Sequence, residues 1–156
     1  MSKSLKRVRS ALAPAGLDIR ILDMPGETRT AADAAREAAC HIDQIAKSII
    51  FRGDESGAAS VFVTAGGNQV SPEKAAAAAG EPLGRADAVF VRTTTGFAIG
   101  GVSPIGHLTD PNVFIDPRLL DFEAVFAAAG TPRHIFQISP RDLVRISNGQ
   151  LTDFTI

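Results

Sequence analysis

Lys47-Ser-Ile-Ile-Phe-Arg52 and Ser60-Val-Phe-Val-Thr-Ala65, joined through Gly53-Asp-Glu-Ser-Gly57, decide the fold class. Both flanks are β-branched or aromatic runs of strand length. A connection built from Gly, Asp and Ser is turn chemistry, so the segment reads as a β-hairpin. Toward the N-terminus, Leu5, Val8 and Leu12 recur at helical spacing among basic residues. That pattern predicts an amphipathic helix with a basic outer face, ended by Pro14 and Gly16. Asp18 to Met24 reads as a short strand closed by Pro25-Gly26. Thr30, with Asp33 three residues later, resembles a capping box for an Ala-rich helix reaching about Ala39.

Beyond the hairpin, Gly66-Gly67-Asn68 stops the second strand. Ser71-Pro72-Glu73 occupies the favoured opening positions of a helix that Gly80 ends. Asp87 to Thr95 carries two signals: Ala88-Val-Phe-Val91 favours strand, whereas Asp87 as a cap and Gly96 as a stop favour helix. Phe97-Ala-Ile99 reads as a strand entering the loop Gly100 to Gly106. Asn112 to Asp116, Glu123 to Ala128 and Arg133 to Ser139 are further strands, and Ser139-Pro140-Arg141-Asp142 opens a last helix that Gly149 ends. Strands cluster in hairpins with helices between the groups, and no repeat or linker interrupts them. The expectation is α+β, with a mixed, mostly antiparallel sheet and flanking helices, rather than a doubly wound fold.

The chain has 156 residues, 45% hydrophobic and 21% charged, which suits one globular domain over residues 1–156 and excludes a disordered tail protein. With no Trp or Tyr, nine Phe carry the aromatic burial, and the run Ala75 to Ala79 predicts a helix packed closely against something larger. A single cysteine, Cys40, forms no internal disulfide, which points to a reducing compartment. No apolar run approaches the ~20 residues of a membrane span. The charged N-terminal stretch leads into no signal-type segment, so a cytoplasmic protein is expected. A net charge of −1 argues against broad binding to long nucleic acid. Yet Lys3, Lys6, Arg7 and Arg9 put four cations and no acid in the first ten residues, enough for a short phosphate contact.

Phosphate-loop and dinucleotide fingerprints are absent, and no His or Cys falls at metal-ligand spacing. Ser103 stands in Gly101-Val-Ser-Pro-Ile-Gly106, superficially like a nucleophile elbow. That motif needs Gly two residues to either side, and here Pro104 follows directly, which weakens a Ser103/His107 esterase pair. The loop reads either as a tight turn or as a path that converges the N–H groups of Gly101, Val102 and Ser103 on one point. Converging amides stabilise an oxyanion, at roughly 2.7–4 kcal/mol for a single donor. Lys47 is either a strand lysine kept in water or a point charge for a phosphate or carboxylate. His134 is either structural or a hydrogen-bonding group in a pocket.

Several stretches together resemble one family. They are Thr30-Ala31 opening its helix, Gln44-Ile-Ala-Lys47-Ser48, Thr95-Gly96, Gly100-Gly-Val-Ser-Pro104-Ile-Gly106, Gly130-Thr-Pro-Arg-His134 and Ser139-Pro-Arg-Asp-Leu143. This order is similar to the YbaK / prolyl-tRNA-synthetase-associated editing domain family, the freestanding aminoacyl-tRNA deacylases, from the first helix to about Asn148. The resemblance implies a mixed α/β domain around a curved, partly barrel-like sheet, with Asp87 to Thr95 helical. It implies hydrolysis of the ester joining a wrong, small amino acid to a transfer RNA, commonly that for proline, without metal or cofactor. Lys47 would hold the 3′-terminal nucleotide or its phosphate. The backbone of Gly100, Gly101, Val102, Ser103 and Pro104 would position the aminoacyl carbonyl. Thr30, Ser48, Gly106, His107 and His134 would lie along the substrate, and Lys3, Lys6, Arg7 and Arg9 would meet the acceptor stem. Partners would be aminoacyl-tRNA and prolyl-tRNA synthetase.

His107 and Thr131-Pro132 depart from the family pattern beside the expected pocket, which leaves cysteine, alanine or a broader small-residue specificity open. Lys47 is a poor general base, because a reference pKa near ~10.4 keeps it protonated. A non-catalytic module for the tRNA end or a nucleotide would use the same cleft. A small-molecule esterase would instead need Ser103 and His107 as its pair.

Overall fold

The computed structural model describes residues 2–13, 19–26 and 30–156. The hairpin forms as read: β2 (Ile45–Gly53) pairs antiparallel with β3 (Ala59–Ala65), from Ala46 opposite Ala65 to Arg52 opposite Ala59. Gly57 supplies the left-handed residue of the turn, at φ +72°, which glycine adopts without a Cβ penalty. Every residue of β3 is buried, which explains its unbroken apolar run: it is central and covered on both faces.

Around this pair the sheet adds β1 (Ile21–Asp23), β4 (Leu83–Arg85), β5 (Asn112–Ile115), β6 (Val125–Thr131), β7 (His134–Ile138) and β8 (Gln150–Leu151). The order is β1-β7-β6-β2-β3-β5-β8, with β4 paired to β2. Antiparallel pairings outnumber parallel ones, which join β2 to β6, β3 to β5 and β5 to β8. The sheet stays open, because β1 and β8 end the order without pairing to each other.

Alternation along the strands gives each face its cover. Ala127, Ala129, Phe136, Val61 and Val63 meet Leu5, Val8 and Leu12 of α1 (Lys3–Leu12) on one face. On the other, Ile45, Phe126 and Ile135 pack on Ala34 and Ala35 of α2 (Ala31–Ala38). In a third cluster, Phe62 stacks on Phe114 and meets Phe154 edge-on, both at 5.0 Å between ring centroids. Ala75 of α3 (Pro72–Ala79) packs into that cluster, so small helical side chains let the backbone sit close to large rings.

Asp87 to Thr95 resolves as helix. The Asp87 carboxylate accepts the Phe90 N–H at 2.8 Å, starting α4 (Ala88–Thr95) despite its β-branched content. Phe97 to Ile99 is not a strand, against the sequence reading. Gly96 ends α4 at φ +82°, the Phe97 ring drops fully into the core, and Gly101 N–H closes a turn onto the Ala98 carbonyl. No neighbouring strand is left for it, because Leu108 and Thr109 fold back onto the Thr95 and Thr94 carbonyls.

The Thr30 hydroxyl caps α2, but Asp33 pairs with Arg36, and the reciprocal box forms instead between His41 and Gln44. α5 (Pro140–Ser147) starts at the Ser139 cap, while β4 and β8 were too short to read from sequence. Pro14, Gly16 and Asp18, read as the first helix stop and the next strand start, lie outside the described residues.

Arg7 departs from the expected basic outer face. Its Nη2 donates to the Gly96 carbonyl at 2.7 Å and its Nε to the Gly106 carbonyl at 3.3 Å. The guanidinium lies 5.0 Å from the Phe97 ring centroid. Lys3, Lys6 and Arg9 remain exposed. Arg7 therefore ties α1 to the end of α4 and to the Gly100–Gly106 loop. Replacing Arg7 by Ala should cost about 2 kcal/mol, lowering Tm by roughly 4–8 °C. Lys6→Ala should stay within about 0.5 kcal/mol. Paired thermal melts of the two variants check this, and equal Tm values would count Arg7 among the surface cations.

Candidate functional site

β2 carries Lys47 from the buried start of the strand into a cavity of about 660 Å³ on the α2 face. Lys47 is half-buried, and its Nζ donates to the Gly66 carbonyl at 3.2 Å. Burial pushes its pKa down, opposed by the carboxylates of Asp116 and Asp43. The cavity walls are otherwise mostly apolar, including Ile45, Val91, Phe126 and Ile135. Ser48 lines the same space, and its buried hydroxyl has no hydrogen-bond partner among the described residues.

The Gly66 carbonyl is fixed by two carboxylates that the sequence reading missed. Asp116, only 3% exposed, accepts the Ala65 N–H at 3.1 Å and the Asn68 amide at 2.9 Å through Oδ2. Its Oδ1 accepts the Arg118 N–H at 2.9 Å, starting the single-turn helix Pro117–Asp121. Asp43 accepts the Gly67 N–H at 2.8 Å and receives Arg118 Nε at 3.0 Å. Burial alone would raise the Asp43 pKa, but the bonds from Arg118 and Gly67 outweigh it and hold the carboxyl below its usual value. The available signal was Asp116-Pro117, a helix-cap pair at the end of an apolar strand.

Across the cavity stand Gly100, at φ +96°, and Val102. Gly101 is required by close approach: a Cβ there would lie 2.7 Å from the Thr131 carbonyl carbon and 2.8 Å from its Cα. Its N–H is already spent on Ala98. Of the three amides expected to converge, those of Val102 and Ser103 make no hydrogen bond among the described residues.

Ser103 is completely buried and its hydroxyl accepts the Ile105 N–H at 3.3 Å. His107 Nε2 donates to the Ser103 carbonyl, not the hydroxyl, at 2.6 Å, and the imidazole meets Phe97 edge-on. The geometry removes the Ser103/His107 esterase reading, because the hydroxyl is neither accessible nor bonded to the imidazole. Gly106 backs onto the Arg7 backbone.

The structure thus gathers Thr30, Lys47, Ser48, Gly100 and Val102 around one cavity. Gly101, Ser103 and Pro104 are buried behind its rim, and Gly106 and His107 face α1. His134 lines a neighbouring cavity instead, with Nδ1 2.6 Å from the Thr131 hydroxyl and Nε2 3.7 Å from Asp23. A register shift in β6 between Ala128 and Thr131 sets its position.

Residues 25–146 match the aminoacyl-tRNA editing domain family. The Bacillus subtilis (strain 168) uncharacterized protein YwhH is 30% identical over 144 residues, covering 92% of this chain and 91% of that one. Among solved structures, a candidate trans-editing enzyme for prolyl tRNA synthetase superposes with a TM-score of 0.93 at 39% identity. The match covers 100% of this chain and 99% of the other. Hypothetical protein APE2540 superposes with a TM-score of 0.88 at 27% identity, covering 96% and 99%.

Burial lowers the His107 pKa, and Arg7 adds to this against the Ser103 carbonyl and Asp110. Its Nδ1 is buried without a partner among the described residues. Above pH 7 the imidazole is neutral in both folded and unfolded chains and contributes no slope. Below about 6.5 the unfolded chain takes up the proton first, so stability falls as pH falls. Melting curves from pH 7.5 to 5.0 should show wild type losing Tm more steeply than His107→Gln. Parallel curves would contradict the assignment.

Proposed function

Because the chain belongs to the aminoacyl-tRNA editing domain family, we propose that it hydrolyses, in trans, the ester joining a wrong, small amino acid to proline tRNA. We read residues 1–156 as one such domain, working in the cytoplasm. The observation that carries the reading is one cavity with Lys47 on one wall and Gly100 and Val102 on another. Lys47 supplies a fixed positive charge for the 3′-terminal nucleotide or its phosphate. Burial lowers its pKa and the nearby carboxylates of Asp116 and Asp43 oppose that shift, and we assign Lys47 the part of a point charge for substrate and not of a general base.

The free amide of Val102, the residue among Gly101, Val102 and Ser103 that lines the cavity, is the donor offered to the developing oxyanion. An aminoacyl ester is already a good electrophile, and the ribose 2′-hydroxyl can position water, so no side-chain nucleophile is needed. The apolar walls select a small side chain. A separate site of this kind removes what a synthetase pocket rejects poorly, since one methylene is worth only ~1–3 kcal/mol. Lys3 and Lys6, exposed along α1, are assigned to acceptor-stem phosphates. Prolyl-tRNA synthetase is the partner that would generate the mischarged substrate.

A deacylation panel tests this: proline tRNA charged with alanine, cysteine, serine or 2-aminobutyrate, against the same tRNA charged with proline. Hydrolysis of a small mischarged residue with proline left intact is expected. Binding without hydrolysis would instead establish a tRNA-end binding module. Lys47→Ala should lower the deacylation rate at least tenfold while Tm shifts by only a few degrees. An active variant would make Lys47 structural.

The loop supplies a second test. Ser103→Ala keeps the N–H and should retain most activity, whereas Gly101→Ala must displace the loop from Thr131 and should lose at least tenfold. Loss of turnover in a folded Ser103→Ala protein would overturn the backbone mechanism.

A further inference from the structure

A second cavity of about 500 Å³ opens on the α1 side of the β6–β7 turn. Ser2, Leu5 and Arg9 line it from one stripe of α1, and Ile21 and Asp23 from β1. The turn Thr131 to His134 closes it. Leu5, Ile21 and Pro132 make an apolar surface, and Arg9, Arg133 and His134 supply nitrogen donors around it. The Arg9 side chain is exposed and makes no hydrogen bond or ion pair among the described residues. Arg133 is only loosely held, 3.4 Å from the Met24 carbonyl and 3.7 Å from the Asp23 carboxylate. Asp23 also stands 3.7 Å from His134 Nε2. Among the lining residues one carboxylate is set against two guanidiniums and an imidazole, which leaves the wall positive.

An apolar surface beside under-committed guanidiniums suits a flat ring carrying a phosphodiester: the ring covers the aliphatic surface and the fork binds phosphate oxygens. Thr131 is a wall of both cavities, so a chain leaving the Lys47 cavity crosses one residue to reach the second. We infer that this second cavity is the subsite for the nucleotide preceding the esterified 3′ end of the tRNA, held by Arg9, Arg133 and His134 against competition from Asp23. The inference rests on the editing reading for the identity of the strand. The cavity's chemistry alone specifies only a nucleotide linked through a phosphodiester.

The test uses the full chain and two probes, a labelled RNA tetranucleotide ending in 3′-CCA and adenosine 5′-monophosphate. In fluorescence anisotropy, the double variant R9E/R133E should bind the RNA at least tenfold more weakly, and D23N should bind it about threefold more tightly. Adenosine 5′-monophosphate, which fits the Lys47 cavity alone, should compete with unchanged affinity in both variants. A gain of affinity in D23N is an outcome that misfolding does not mimic. Unchanged RNA binding in R9E/R133E overturns the subsite, as does an equal loss for the mononucleotide. If wild type binds the RNA through these residues yet hydrolyses no ester, the subsite stands and the editing reading falls. If wild type deacylates tRNA and R9E/R133E leaves its KM unchanged, the editing reading stands and the subsite falls.

Discussion

The buried carboxylate of Asp116 holds together what would otherwise be separate parts. Through its two oxygens it ends β3 at Ala65, anchors Asn68 and starts the turn of helix after β5. Its own N–H continues the β3–β5 ladder onto the Val63 carbonyl. Each donor it satisfies would otherwise be left without a partner, at a cost of about 1–3 kcal/mol apiece when buried. Because Ala65 and Gly67 are both pinned, the Gly66 carbonyl between them has a fixed direction, and Lys47 takes its position from that carbonyl. The placement of Lys47, the one cation lining the cavity among the described residues, is thus a consequence of strand termination.

The second constraint is the contact of Gly101 with the Thr131–Pro132 backbone. It sets the loop against the β6–β7 turn at a distance no other residue permits. Arg7 reaches the same loop from the α1 side through the Gly106 carbonyl, and His107 holds the Ser103 carbonyl. The loop is therefore braced from behind by α1, by an imidazole and by the β6–β7 turn, leaving its front to the cavity.

Much of this was legible in the sequence where a local rule acts alone. The β2–β3 hairpin followed from turn chemistry, whereas Asp87 to Thr95 carried two opposed local signals and only the family resemblance implied the helix that forms. The failures came where tertiary context decides. Phe97 to Ile99 has strand-like residues, but the Phe97 ring is drawn into the core and the chain turns at once from Ala98 to Gly101. Arg7 sits among basic residues in sequence, yet one face of a helix turns it to two carbonyls. Lys47 stood out as a charge in an apolar strand, but Asp116, which helps fix the Gly66 carbonyl that Lys47 bonds, is far along the chain and no spacing links them. His134 depended on a bulge in β6, and a register change moves a side chain from one face of the sheet to the other.

The chemistry proposed for the cavity follows from what the structure withholds as much as from what it offers. Ser103, the one hydroxyl in the loop, is buried, and His107 is committed to a carbonyl. Neither can attack or shuttle a proton without dismantling the loop. What faces the cavity from that side is backbone, and backbone donors act only through position: a shift of about 1 Å in a donor forfeits much of its value to an oxyanion. A mechanism built on amides must therefore invest in rigidity behind the loop. Gly101 packed on Thr131, Arg7 bound to Gly96 and Gly106, and the buried imidazole supply that bracing. The same reasoning separates the cations: Arg7 braces the loop from behind, whereas Lys47 stands across the cavity and Arg9 and Arg133 lie beyond Thr131. The task of these last three on this reading is to place a charged strand, whereas the reacting ester is left to uncharged, preorganised dipoles.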